Sequence, residues 1–314
     1  MSCFDDVVHR IFAADTAADL FDGDEPDRAF RRLRRAVHPD AAPTGSEGIA
    51  TSAFTRLTEL WEHRVGPYTL LGEPVSGDLA DLYRVRSAKG TALLKVAREA
   101  ADNDLLATEA EALRRPKRRR PYFPRLFETL VVDDGGDRRA ANVIELCDGF
   151  VSLAEVEHAY PDGLDPRDAA WMWRRLLVAL GAAHRAGVVH GAVLPEHVLI
   201  HPGEHGLVLV DWCYAVIGSG SVPALVARYR DAYPPEVPAR EAAGPATDLY
   251  LSAGLMLRLM GSRVHPALRR FAEGCRLARP RMRPQDAWRL LAELDDVLQR
   301  LYGPRRFREF SVPA

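Results

Sequence analysis

The residues able to do chemistry in this chain gather in one stretch, His190 to Cys213 (HGAVLPEHVLIHPGEHGLVLVDWC). A polar turn, His190–His197, opens it, and an acid, Asp211, lies near its end. Between them are two apolar β-type runs, 198–200 and 207–210, with a tip at Gly203–Gly206. Two such runs joined by a turn predict a hairpin, which brings the polar turn close to Asp211. A further ionisable residue, Lys95, sits in the apolar run TALLKV. An ammonium there is costly to bury unless it is paired or bound to a ligand.

The stretch resembles the catalytic loops of the protein-kinase family. Where kinases read H-R-D-L-K-P-E-N, this chain reads H-G-A-V-L-P-E-H. The resemblance puts Ala192 at the position of the catalytic base, Leu194 at that of the lysine and His197 at that of the metal-binding asparagine. The metal-binding aspartate of D-F-G is kept as Asp211, in D-W-C. Ala192 cannot accept a proton, and Glu196 occupies a different position in the motif. His197 offers nitrogen, whereas magnesium prefers oxygen ligands.

The rest of the likeness runs from residue 67 to about 302. Strands are predicted over Tyr68–Val75, Leu79–Ser87 and Thr91–Val96. Of three expected loop glycines only Gly77 remains, with Val75 and Ala80 at the others, so tight phosphate binding through backbone N–H groups is weakened. A helix over about Asp102–Arg114 carries Glu109, and the resemblance implies a Lys95–Glu109 ion pair. The run RRPKRRRPYFPR (Arg114–Arg125) reads as a solvated loop. A strand over Ala141–Cys147 ends in a hinge-like segment, where the backbone of Glu145 and Cys147 would meet an adenine. A broad apolar face predicts a helix over Ala169–His184. Further on, Glu236 in YPPE, Asp248 in ATDLYLSAG and Arg283 in RMRP resemble the structural residues of the family, with a Glu236–Arg283 pair implied. The tail Gly303–Ala314 is basic and aromatic, suited to packing on the kinase lobe or on a partner.

The first 65 residues follow another pattern. The apolar spacing predicts helices over 1–21, Ala29–Val37 and about Ala50–His63, with loops at Asp22–Asp27 and Ala41–Gly48. The second helix is rich in arginine and stops at His38-Pro39-Asp40, because the residue before a proline disfavours helix. Helix, basic helix, H-P-D loop, helix resembles the J domain of DnaJ-type co-chaperones. That resemblance implies contact with a DnaK-type chaperone through Arg31, Arg34, Arg35, His38, Pro39 and Asp40.

The fold expected is therefore a small all-α J-like domain (1–66), then an α+β two-lobed protein-kinase-like fold (67–302, small lobe about 67–147, large lobe about 148–302) and a tail (303–314). A net charge of −2 gives no global field pointing to nucleic acid or a membrane. No run of eighteen apolar residues suggests a span. The N-terminus has acids where a signal peptide needs bases. Four scattered cysteines lack metal spacing and read as reduced thiols of a cytoplasmic protein. The Ala, Arg, Pro and Gly bias suggests a GC-rich bacterial genome. The functional expectation is a pseudokinase that binds an unidentified protein client, with ATP bound weakly or independently of metal as a switch, magnesium being the ion that the kinase resemblance implies, coupled to a chaperone-recruiting J domain. Two alternatives stand beside it. One is an active atypical kinase acting on Ser/Thr or a small molecule, because the H-G start and the D-W motif also resemble antibiotic-type phosphotransferases. The other is a pair of scaffold modules with the H-P-D loop idle.

Overall fold

The computed structural model describes residues 3–15, 17–21, 26–62, 64–87, 89–116, 121–134 and 136–313. The loop expected at Asp22–Asp27 and the centre of the basic run at 114–125 fall largely or partly outside them. The chain divides into two compact units: Met1–Ala100 with Leu130–Leu146, and Ala101–Thr129 with Cys147–Ala314. The expected boundary at 66/67 lies inside the first unit.

The first unit begins with four helices: α1 (Cys3–Ala13), α2 (Ala17–Phe21), α3 (Pro26–Ala36) and α4 (Glu47–Glu62). The single helix expected over 1–21 is thus two. Ala14 and Asp15 leave the helical path, and Asp15-Thr16 are residue types that favour a helix start over its interior. Ile11, Leu20, Leu33, Val37, Leu57 and Leu60 form the shared core. Phe30 and Trp61 stack at 4.1 Å, and Phe21 meets both rings edge-on. Pro26 starts α3 and the proline at 39 ends its run, leaving a short 3-10 turn at Pro39–Ala41.

A sheet follows in the same unit, built from β1 (Arg64–Val65), β2 (Tyr68–Leu70), β3 (Val75–Ser76), β4 (Ala80–Ser87), β5 (Gly90–Ala97), β6 (Leu126–Asp134) and β7 (Asp137–Ile144). Its order is β1-β2-β4-β5-β7-β6, with β3 paired to β4. The strand expected over Tyr68–Val75 is broken at 71–74. Gly72 takes a left-handed conformation (φ 77°) and Pro74 lacks a ladder donor. Arg64 ties the sheet to the helices: its guanidinium lies 4.7 Å above the Trp61 ring and 5.3 Å from that of Phe21.

The second unit contains α5 (Asn103–Arg114), β8 (Val151–Ser152), α6 (Leu153–Ala159), α7 (Pro166–Arg185), β9 (Val188–Val189), β10 (Val198–His201), β11 (Gly206–Leu209), β12 (Val216–Ile217), α8 (Pro245–Met260), α9 (Pro266–Gly274) and α10 (Ala287–Tyr302). The predicted hairpin is β10–β11, antiparallel, with Leu199 opposite Val208. β8 extends it, and β12 pairs with β9. Helix α7 starts on an Asp165 cap with Pro166 at its first position. It buries Trp173, Leu176, Leu177 and Leu180, and packs against α8 and α10. The tail packs on this unit. Phe310 stacks on Tyr160, Phe307 stacks on His205, and Arg308 pairs with Asp168 at 3.0 Å. Among the described residues no helix is long and apolar enough to cross a membrane.

Candidate functional site

In the second unit one buried carboxylate shapes the turn at 190–197. Asp248, on the first turn of α8, has no exposed surface. The backbone N–H groups of His190 and Gly191 donate to its two oxygens at 2.8 Å each, and His184 Nε2 donates at 2.8 Å. The turn is therefore anchored to a helix rather than only to its neighbours. Gly191 permits this path, because its φ is 78° and a Cβ there would lie 2.5 Å from the Tyr214 carbonyl oxygen. Gly191→Ala is expected to destabilise the protein by about 2–3 kcal/mol, checked by urea unfolding.

His190 is fully buried and links the turn to the strand end. Its Nε2 donates to the Val210 carbonyl at 3.0 Å, and its Nδ1 accepts the Ala192 N–H at 3.3 Å. That is the neutral tautomer, and burial pushes the imidazole down to about 4. One residue past Val210, Asp211 takes a left-handed backbone (φ 62°, ψ 62°), which Asp tolerates better than most side chains. Trp212 follows in the core, its indole N–H on the Leu209 carbonyl at 2.8 Å and its ring edge-on to Phe123 and His190.

His197 joins the two halves of the stretch. Its Nδ1 lies 2.8 Å from the Ala192 carbonyl oxygen and its Nε2 lies 3.1 Å from Asp211 Oδ2. A backbone carbonyl only accepts, so Nδ1 donates to it, and Nε2 faces the Asp211 carboxyl group.

Ala192 is fully buried at the middle of the turn. Glu196 is held through one oxygen: its Oε1 accepts from Tyr229 Oη at 2.6 Å and lies 3.3 Å from Arg228, while its buried Oε2 has no hydrogen-bond partner among the described residues. Burial, then this hydrogen bond, pushes the Tyr229 phenol up to about 12. Glu109, on α5, is buried and accepts the Trp212 N–H at 3.3 Å. Glu109, Asp211 and Cys213 offer two carboxylates and a thiol within 4.8 Å of one another.

These residues do not fit magnesium. The ion wants near-octahedral oxygen ligands, whereas Asp211 is already paired with His197 and the neighbouring donor is sulfur. Among the described residues Cys147, Cys213 and Cys275 are free thiols, as expected.

The first unit holds the remaining sequence-predicted residues. Lys95 is buried on β5, opposite Leu82 on β4 and Asn142 on β7. Gly77 closes a turn: its N–H donates to the Ala80 carbonyl at 2.9 Å, and a Cβ there would meet the same oxygen at 2.9 Å. Its donor is thus committed within the protein. Glu145 is exposed just past β7; Cys147 is half-buried and belongs to the second unit. Arg31, Arg34 and Arg35 are exposed on α3. His38 and Asp40 have 45% and 91% of their side-chain surfaces open, and His38 packs edge-on against Phe54.

The implied pair Glu236–Arg283 is made in the second unit. Two bonds of 2.6 and 2.9 Å join the side chains, both buried, and Thr247 Oγ1 donates to Glu236 at 3.0 Å. Burial pushes the Glu236 carboxyl up, but Arg283 and the other donors outweigh it and hold it below the usual range. The Glu196–Tyr229 bond and the Asp211–His197 pair were not foreseen. Tyr229 lies in an irregular segment where periodicity gives no signal, and His197 was weighed only against a metal ion, for which its nitrogen is a poor donor.

The family model described as lipopolysaccharide kinase (Kdo/WaaP) family matches residues 59–212. Two solved structures of the PknI kinase domain of Mycobacterium tuberculosis are similar at 16% identity over 74% of this chain. The unmodified domain gives a TM-score of 0.59 with 97% of its length covered, and a point mutant gives 0.57 with 95%. No curated protein matches the chain. With the hairpin, the Asp248 anchor and the Glu236–Arg283 pair, these likenesses establish that the chain carries a protein-kinase-like domain.

Proposed function

We propose that this protein is a catalytically impaired kinase-like module that binds a protein client and presents it to a DnaK-type chaperone through its N-terminal helices. One observation carries the reading. The turn that should supply a base has a fully buried Ala192 whose carbonyl is held by His197, while Glu196 is committed to Tyr229 and Arg228. The position of the base therefore offers no group to accept a hydroxyl proton, and the one acid of the turn, Glu196, stands at a different position with its Oε1 held by Tyr229 and Arg228. The buried Lys95 supports ATP binding, and the His197–Asp211 pair supports binding that needs no magnesium. The open His38-Pro39-Asp40 turn beside the arginine face of α3 supports the chaperone contact.

The test has two arms. The full-length protein stimulates ATP hydrolysis by a DnaK-type chaperone several-fold, and His38→Gln returns it to the basal rate. ATP raises the melting temperature equally with and without magnesium, the shift disappears in Lys95→Ala, and no radiolabelled phosphate is transferred. Equal stimulation by His38→Gln would sink the chaperone arm.

The match to the lipopolysaccharide kinase family favours a second reading: an active phosphotransferase that uses ATP on a small-molecule or Ser/Thr hydroxyl. Transfer above background, lost in both Lys95→Ala and Asp211→Ala, would establish it and overturn the first.

A further inference from the structure

The second unit contains a cavity of about 200 Å³ behind the 190–197 turn. One wall is the apolar segment 193–195 and another is the face of α8 around Leu251 and Leu255. Two guanidinium groups, Arg258 and Arg276, also line it.

The two arginines differ in how they are satisfied. Arg258 is paired with Glu157 and lies over the Tyr229 ring at 5.4 Å. Arg276 lies 4.8 Å from the Tyr250 ring, and among the described residues its side-chain hydrogen bond is a long one of 3.5 Å to Tyr250 Oη. Its Nε is buried without an acceptor. Among the described residues no carboxylate pairs with it. The neighbouring acids are in use, Glu157 by Arg258 and Glu196 by Arg228 and Tyr229. The local balance therefore leaves one positive charge, and it belongs to Arg276.

A second observation concerns α8 itself. Gly254 sits in its interior, where glycine costs roughly 1 kcal/mol relative to alanine. A Cβ at that position would lie 3.3 Å from Arg276 Nε. The absent side chain is what lets the guanidinium rest against the helix at the cavity wall. A half-buried guanidinium that lines the cavity with no carboxylate paired to it among the described residues calls for an anion, and the apolar walls call for a hydrocarbon body next to it. The space exceeds what a bare inorganic anion would fill.

We infer that this cavity binds a carboxylate carried on a short apolar stem, with Arg276 as the anion anchor and Leu251 and Leu255 packing the stem. The same chemistry is offered by a free short-chain monocarboxylic acid and by a glutamate side chain of a bound peptide. The inference stands independently of the pseudokinase reading, since it uses no residue of the hairpin's acid end.

The experiment is calorimetric titration of the full-length protein with hexanoate, with hexanol as the uncharged control. A short blocked peptide containing Leu-Glu, and its Leu-Gln counterpart, form the second arm. Hexanoate is expected to bind and hexanol to bind at least about tenfold more weakly, the loss typical of a charge-assisted hydrogen bond. Arg276→Gln abolishes the preference for the acid, and Leu255→Trp fills the cavity and removes binding of both probes. Tighter binding of the Leu-Glu peptide than of hexanoate identifies the source as a polypeptide, and the reverse identifies a free acid. Absence of binding by either acid, or hexanoate affinity unchanged in a folded Arg276→Gln protein, overturns the inference.

Discussion

Replacing Arg283 by methionine lowers the stability of the protein by about 3–5 kcal/mol, because a buried charge is left without its partner. Arg283 is not only an ion-pair member. Its Nε and Nη2 donate to the carbonyls of Leu277 and Ala278 at 2.6 and 2.8 Å, alongside the two bonds to Glu236. One substitution therefore strands a buried carboxylate and two backbone acceptors. Chemical unfolding followed by tryptophan fluorescence measures the loss. The double variant Glu236→Leu/Arg283→Met recovers part of it, since removing both charges cancels the desolvation cost. The pair also gives a pH signature. The folded-state pKa of Glu236 lies below its unfolded value, near 4.5. Its stabilisation is thus full above that value and fades as pH falls through the lower, folded one. Wild type loses this contribution on acidification and Arg283→Met has none to lose, so the two stabilities converge at low pH. A gap that stays constant down to about pH 3 would contradict the assignment.

Asp248→Ala is the second large effect, about 3 kcal/mol, from three donors left without an acceptor. Its distinguishing feature is local. The amides of His190 and Gly191 lose their partner, so the 190–197 turn opens more often than the rest of the unit. Hydrogen exchange read residue by residue is expected to speed up at these two amides by more than global destabilisation explains. Asp248→Asn keeps one acceptor oxygen and is expected to be milder. If exchange rises uniformly across the unit, Asp248 is a core residue rather than the anchor of the turn.

Much of the kinase-like domain was legible because its elements carry their own patterns. The hairpin appears as two β-type runs with glycines between them, and α7 as a long apolar stripe behind a proline start. Glu236, Asp248 and Arg283 were legible only through resemblance, as nothing in their spacing brings residues 236 and 283 together. The break at Ala14-Asp15 was missed because the apolar spacing continues on both sides of it. Gly77 was read as a survivor of a phosphate loop, yet its N–H and missing side chain both serve its own turn. The sequence offers His197 only as a poor magnesium ligand, and only the fold reveals that its two nitrogens lie beside the Ala192 carbonyl and Asp211. The tail's packing was an open alternative, since Phe307 and Phe310 suit any apolar surface and a one-dimensional pattern cannot name which.

The packing around Ala192 also limits what a single substitution can do. Ala192→Asp would place a carboxylate at a position with no exposed surface, where loss of hydration disfavours the charged form. The carbonyl of the same residue is held by His197, so the backbone is not free to swing the new side chain outward. A carboxylate grafted at this position therefore demands that the turn be repacked around it.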